Sequence, residues 1–191
     1  IIANFPQVSE KKSFKSQFEN LQFENDENKF EAWKNGLTGF PIIDAAMKQI
    51  NQTGYMHNRL RMIVSSFLVK DLLVDWRWGE KYFEDNLIDF DFSANNGGWQ
   101  WAASTGCDSQ PYFRIFNPVL QSEKFDKDGV FIKKYIPQLS PLSSREIHQP
   151  WIHFEKNRDA FPIKLGIDYP LPIVDHKQQR EKALSMYKTC K

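Results

Sequence analysis

Helices without a sheet are the architecture to which this chain of 191 residues points. Apolar residues recur at helical spacing in two long stretches: Ile42, Ile43, Ala46, Met47, Ile50, and then Leu60, Ile63, Val64, Phe67, Leu68, Leu72. No run alternates polar and apolar residues as a half-buried strand does. Start and stop residues bracket the first stretch, with Pro41 near the first helical position and Gly54 closing it. An all-α domain with irregular connections follows.

The elements can be taken in order. Ile1, Ile2 and Phe5 read as the end of a helix, and Pro6 with Ser9–Ser16 as a charged surface loop. Phe14, Phe18, Leu21 and Phe23 form a broken apolar stripe. Phe30 and Trp33, three apart, share a helix face. After the Pro41 helix, a second runs from Asn58 to about Trp76, with Gly79 as its cap. On it Asn58, Arg61, Met62 and Ser65 lie at i, i+3, i+4, i+7, away from the apolar face. Such a stripe is either a solvated surface or a pocket wall. A short helix carries Tyr82, Phe83, Leu87 and Ile88, and another runs through about Ser104. Residues 106–117 form an ordered, aromatic loop of the kind that holds function. Gln121–Tyr135 reads as a helix stopped by Pro137, residues 138–175 as proline-rich extended chain, and His176–Tyr187 as a polar terminal helix.

Composition narrows the function classes. A net charge of +1 announces no nucleic-acid partner through a global field, so any basic patch is local. Aromatic residues make up 15%, which favours a dense core or a large stacked pocket. Cys107 and Cys190 match no metal or disulfide spacing and read as free thiols of a reducing cytoplasm. No apolar run is long enough to span a membrane and no signal peptide is visible. The chain opens on Ile1 rather than Met, which suggests a piece of something longer.

The densest chemistry lies in Asp89-Phe90-Asp91-Phe92-Ser93-Ala94-Asn95-Asn96-Gly97-Gly98-Trp99-Gln100-Trp101. A glycine pair inside a helix costs stability, so it suggests close approach of the backbone to something else. Trp99 and Trp101 would stand about 200° apart on a helix and so face different surroundings. Asp89 and Asp91 suit acid–base work, metal binding, or holding hydroxyls and arginines; Asp91 or Ser93 equally suits an N-cap. With Arg59 and Arg61 upstream, a polar cofactor bearing hydroxyls and phosphates is a candidate. Phosphate-loop, dinucleotide, zinc-protease and nucleophile-elbow motifs are all missing, and His57, His148, His153 and His176 show no zinc-ligand spacing. Trp76 and Trp99 serve either as core filler or as stepping stones for single electrons; spacing does not choose.

Four ordered segments together resemble one family. They are Thr38-Gly39-Phe40-Pro41-Ile42-Ile43-Asp44-Ala45-Ala46-Met47, Gly54-Tyr55-Met56-His57-Asn58-Arg59-Leu60-Arg61-Met62, Asn95 through Ser104, and Arg114-Ile115-Phe116-Asn117-Pro118. These resemble the flavin-binding domain of DNA photolyases and cryptochromes, and most of all the class I bacterial cyclobutane pyrimidine dimer photolyases. The likeness is dense over about residues 28–176 and looser over the rest of 1–191.

The resemblance implies an all-α domain binding FAD, DNA containing pyrimidine dimers as substrate, and light-driven splitting of the dimer by electron transfer from reduced flavin. It implies that Asn95 sits at flavin N5. Asp89, Phe90 and Asp91 line the flavin edge and ribityl side. Arg61 lies near the ring, paired with Asp71, with Tyr55 and Asn58 completing the cofactor set. Asn58, Met62 and Trp101 would touch the dimer, and Arg59, Arg114 and Gln121 the DNA. Trp99 and Trp76 match the proximal and middle members of an electron-carrying tryptophan chain.

Two departures stand out against the family pattern. Tyr55 replaces a usual Trp, and Phe23 replaces the distal tryptophan, a ring much harder to oxidise. The resemblance also implies an upstream antenna domain, carrying a folate or deazaflavin chromophore, and an earlier part of the flavin domain, both absent here. A monomer is expected. The alternatives are a cryptochrome-type photoreceptor and an inactive truncated fragment.

Overall fold

The computed structural model describes residues 5–8 and 10–190. The expected helix end at Ile1 and Ile2, and Ser9 of the expected loop, lie outside the described residues. Phe5 is exposed and leads into a short 3-10 turn at Pro6–Val8. Nine α-helices follow among the described residues: α1 Glu27–Lys34, α2 Pro41–Thr53, α3 Asn58–Lys70, α4 Trp76–Asn86, α5 Phe92–Ala102, α6 Pro118–Phe125, α7 Val130–Tyr135, α8 Pro150–Lys156 and α9 His176–Lys188. The only β feature among them is an isolated bridge between Leu165 and Tyr169.

The helix starts follow from local chemistry. A helix leaves its first N–H groups unpaired, and a short polar side chain just before it satisfies them. Asp26, Asp75, Asp91 and Asp175 do this for α1, α4, α5 and α9. Asn117 accepts from two N–H groups of α6, and His57 accepts from Arg59 N at the start of α3. Pro41 occupies the first turn of α2, and Gly54 ends that helix in the left-handed region at φ 66°.

α2 lies at the centre, packed against α1, α3, α6 and α7. Its Ile43, Ala45, Ala46 and Met47 are wholly buried, as are Val64, Leu68 and Val69 of α3. Each such branched side chain contributes about 1.5–3 kcal/mol by leaving water. The proline-rich return chain is tied onto α2 through one buried carboxylate. Asp44 accepts from Thr38 N at 2.8 Å, Thr38 Oγ1 at 2.6 Å, Gly39 N at 3.0 Å and the Tyr169 hydroxyl at 2.5 Å. Burial pushes the Asp44 carboxyl up, and those four bonds pull it back.

Three expected boundaries move. The Asn58 helix stops at Lys70, six residues before Trp76. Leu72, Leu73 and Val74 continue the apolar run and are all buried, but Leu73 turns left-handed at φ 53°, so the chain leaves the helix while staying in the core. Gly79 is then an interior residue of α4 and not a cap. Its missing side chain makes room for Trp99: a Cβ there would lie 2.1 Å from the indole Cη2. The single helix expected over Gln121–Tyr135 is two. Asp126 takes the N–H groups of Phe131 and Ile132, and Gly129 at φ 68° separates α6 from α7. Residues 138–175, expected as extended chain, are instead mostly a series of turns and bends, beginning in a 3-10 turn at Pro137–Leu139 and interrupted by α8, because the prolines break the chain into tight reversals.

Candidate functional site

α3 and α5 face each other across a cleft of about 270 Å³, with Phe83 of α4 beneath. The α3 wall is Asn58, Arg61, Met62 and Ser65, so the polar stripe at helical spacing is a pocket wall and not a solvated surface. Ala94, Asn95, Gly98, Trp99 and Trp101 form the α5 wall. Ligand pockets span about 300–1,000 Å³, so this cleft has the size of a ring-binding part of a larger site.

Each polar group in it is aimed by a partner. Arg61 Nε donates to the Met56 carbonyl at 2.7 Å, and its Nη2 reaches both Asp89 oxygens at 2.8 and 2.7 Å. The expected pairing of Arg61 with Asp71 is therefore corrected. Asp71 is fully buried and pairs with His176 Nδ1, while Arg61 sits a helix length away on the open end of α3. Tyr55, 45% exposed, lies under the Arg61 guanidinium at 5.9 Å. Asn95 Nδ2 donates to the Glu80 carbonyl at 3.0 Å. This engages the amide nitrogen, and no donor among the described residues reaches the amide oxygen.

The two tryptophans of α5 differ in burial, although both line this one cleft. Trp99 is 2% exposed and sits edge-on to Phe83 at 5.1 Å and to Trp33 at 6.1 Å. Trp101 is half-buried on the rim, tilted against Phe116 at 6.2 Å. Trp101 also borders a second hollow of about 230 Å³ on the far side, with Asn96, Gly97 and Gln100. The carboxylates split too. Asp89 holds Arg61, whereas Asp91 accepts from Ala94 N as the N-cap of α5. Phe90 between them is 37% exposed.

Other expected residues stand apart from the cleft. Trp76 is buried one turn before Gly79, with the Arg77 guanidinium over its ring at 4.8 Å. Phe23 is half-buried and packs against the core. Arg59 stacks on exposed Phe125 of α6 at 4.6 Å, Arg114 is exposed, and Gln121 is half-buried with its Oε1 lacking a partner. Both cysteines are free.

One supporting network escaped the sequence reading. Glu80 accepts from Asn96 Nδ2 at 2.7 Å, Asn96 accepts from Gln100 Nε2 at 3.0 Å, and Gln100 Oε1 accepts from Phe14 N at 2.9 Å. Burial raises the Glu80 carboxyl. The i, i+4 spacing of Asn96 and Gln100 was a signal; the partners on α4 and near the start of the chain were not.

The cleft tests well against a flat, partly polar cofactor. The Trp99 indole N–H is buried and has no acceptor, and buried donors normally have one. A Cβ added at Gly98, on the α5 wall of the cleft, would meet nothing within 4 Å. Backbone close to open space, an orphan donor and a free amide oxygen suit a flavin ring better than a metal. No cluster of three ligand-type residues exists among the described residues.

The fold is helical, with its cleft between α3 and α5. Residues 1–189 match the family described as FAD binding domain of DNA photolyase, and the chain belongs to that family. It is 56% identical over its whole length to a deoxyribodipyrimidine photo-lyase of Vibrio cholerae and 49% identical to that of Escherichia coli. In each case it spans 39% of the relative, so the chain covers about two fifths of the curated relatives it matches. A crystal structure of a bacterial class III photolyase from Agrobacterium tumefaciens superposes with TM-score 0.94 at 47% identity, over 99% of this chain and 39% of that one. A Synechocystis cryptochrome gives TM-score 0.83 at 40% identity, over 88% and 35%. No helix among the described residues is long and apolar enough to cross a membrane.

Proposed function

We propose that this chain is the lesion-facing part of an enzyme that repairs cyclobutane pyrimidine dimers in DNA with light. The observation that carries the reading is one cleft into which α3 and α5 bring Asn58, Arg61, Met62, Asn95, Trp99 and Trp101. The names of the relatives support it.

A reduced FAD held there would supply, on absorbing blue or near-UV light, the electron that splits the dimer's cyclobutane ring. The chain's residues do the positioning. Asn95, its nitrogen fixed on Glu80, offers its amide oxygen to an N–H such as flavin N5 carries. Arg61, clamped by Asp89 and Met56, places a cation at the ring edge. Asn58, Met62 and Trp101, at the mouth, suit a pyrimidine dimer flipped out of the duplex, where stacking on an aromatic wall replaces stacking in the helix. Arg59 and Arg114 meet phosphates, making affinity salt-dependent despite the neutral whole. Trp99 and Trp76 form the inner electron path, with Phe23, a ring much harder to oxidise, in the distal place.

The class I affiliation rests on the four motifs; the class III relative at 47% identity shares this fold. A folate or deazaflavin antenna, a monomeric state and a cytoplasmic location complete the proposal. The test is repair. A protein carrying this chain, loaded with FAD, reduced and illuminated, converts thymine dimers in an oligonucleotide back to thymines; dimers left intact refute the assignment. The cryptochrome likeness supports a second reading as a photoreceptor. Equal affinity for dimer-containing and undamaged DNA would favour it.

A further inference from the structure

The segment from α5 to α6 is held from beneath by a buried cation. Lys70, the last residue of α3, is completely buried. Its Nζ donates to Ser104 Oγ at 3.0 Å and to the Arg114 carbonyl at 3.3 Å. Ser104 is left-handed at φ 64°, so the turn it makes needs outside support. At Arg114 the carbonyl is the anchor while the side chain is exposed. The same ammonium lies 5.7 Å from the Tyr187 ring of α9. Tyr187 in turn stacks on Tyr112 of the segment at 5.6 Å and donates its hydroxyl to the Ala103 carbonyl. An ammonium out of water is costly, and an apolar side chain of equal volume would fill the space without that cost. What the charge provides is three separate pieces of chain held in one register.

We propose that Lys70 is a positioning residue: it fixes the 104–117 segment so that Phe116 supports Trp101 and Arg114 faces the DNA. This rests on the DNA-repair reading of the cleft. Lys70 does not line the cleft, so it acts only through the segment it holds.

Titration gives a readout that a purely structural role would not move. Burial lowers the Lys70 ammonium to about 7, partly offset by the neighbouring Asp71. The groups facing it are Asp71 at the end of α3, itself raised to about 6 by burial and paired with His176 of α9, and the Tyr187 hydroxyl, which burial keeps protonated. As pH rises through neutrality the ammonium loses its proton and its charge-assisted bonds weaken. Affinity for dimer-containing DNA therefore falls from about pH 6 to about pH 8 in the wild type.

The experiment compares the chain with its Lys70→Met and Ser104→Ala variants, the second keeping the lysine if the first fails to fold. Amide hydrogen exchange over residues 106–117 should speed up about tenfold in Lys70→Met and less in Ser104→Ala, with α2 unchanged. Affinity for a thymine-dimer oligonucleotide should fall about tenfold in Lys70→Met and lose the part of its pH slope above about pH 7. Unchanged exchange in both variants overturns the proposal, as does a pH slope above about pH 7, beyond the Asp71 titration, that survives the loss of the lysine. A wild type with no preference for dimer DNA instead refutes the repair reading, and the DNA half of the proposal with it.

Discussion

The two glycines at 79 and 98 sit on neighbouring helices and do opposite things. Gly79 of α4 is buried, and its bare α-carbon receives the Trp99 ring. Gly98 of α5 is exposed, and a Cβ built there would meet nothing within 4 Å beyond its own helix. They mark the two sides of α5. On the packed side, Asn96 and Gln100 are buried and networked into α4 and the start of the chain, and Trp99 is buried against Phe83 while still bordering the cleft. On the open side, Asn95, Gly98 and Trp101 border a cleft. A glycine kept against protein is explained by packing. A glycine kept against empty space, at a cost to the helix, calls for a ligand.

Substitutions at these positions should therefore differ in sign as well as size. Gly79→Ala has the largest effect. The helix gains about 1 kcal/mol in propensity, but a methyl group 2.1 Å from Trp99 forces α4 and α5 apart. Overpacking of that kind costs about 1–3 kcal/mol or more, and thermal unfolding should record a net loss. An unchanged or raised midpoint would break the comparison. Trp101→Ala should come next, weakening binding of a dimer-containing oligonucleotide by about 1–3 kcal/mol through lost stacking. Equal affinities would remove Trp101 from the lesion wall.

Gly98→Ala should raise stability by up to about 1 kcal/mol, since the helix gains and nothing clashes. The same variant should bind flavin less well, and the divergence between melting and binding is the check. Asp89→Asn should have the smallest effect on folding. Its pair with Arg61 is partly solvated, at 26% and 47% side-chain exposure, and exposed pairs contribute about 0–1 kcal/mol. A melting loss well beyond that would mean the pair holds the fold and not the cofactor edge.

The sequence made α2 and the pocket stripe of α3 legible because both are periodic. Pro41 and Gly54 bracket α2, and Asn58, Arg61, Met62 and Ser65 repeat at helical spacing. The break after Lys70 was invisible for a physical reason: Leu72, Leu73 and Val74 stay apolar because they stay buried, whatever their backbone does. Gly79 was ambiguous, since a cap and a packing notch both select glycine. The split between α6 and α7 did carry a signal in Asp126-Lys127-Asp128-Gly129, a turn sequence. The Arg61–Asp89 pair spans 28 positions and needed the fold. The stripe and the differing burial of the two tryptophans came from spacing; their roles came from family likeness.

The open side of α5 as a flavin surface is the central claim, and one titration addresses it directly. FAD added to the chain should quench its tryptophan fluorescence saturably, because Trp99 and Trp101 line the cleft. Gly98→Val, which fills that open space, should keep the helical circular dichroism and abolish the saturable quenching. Saturable quenching that survives Gly98→Val intact, or none in the wild type, would contradict the account.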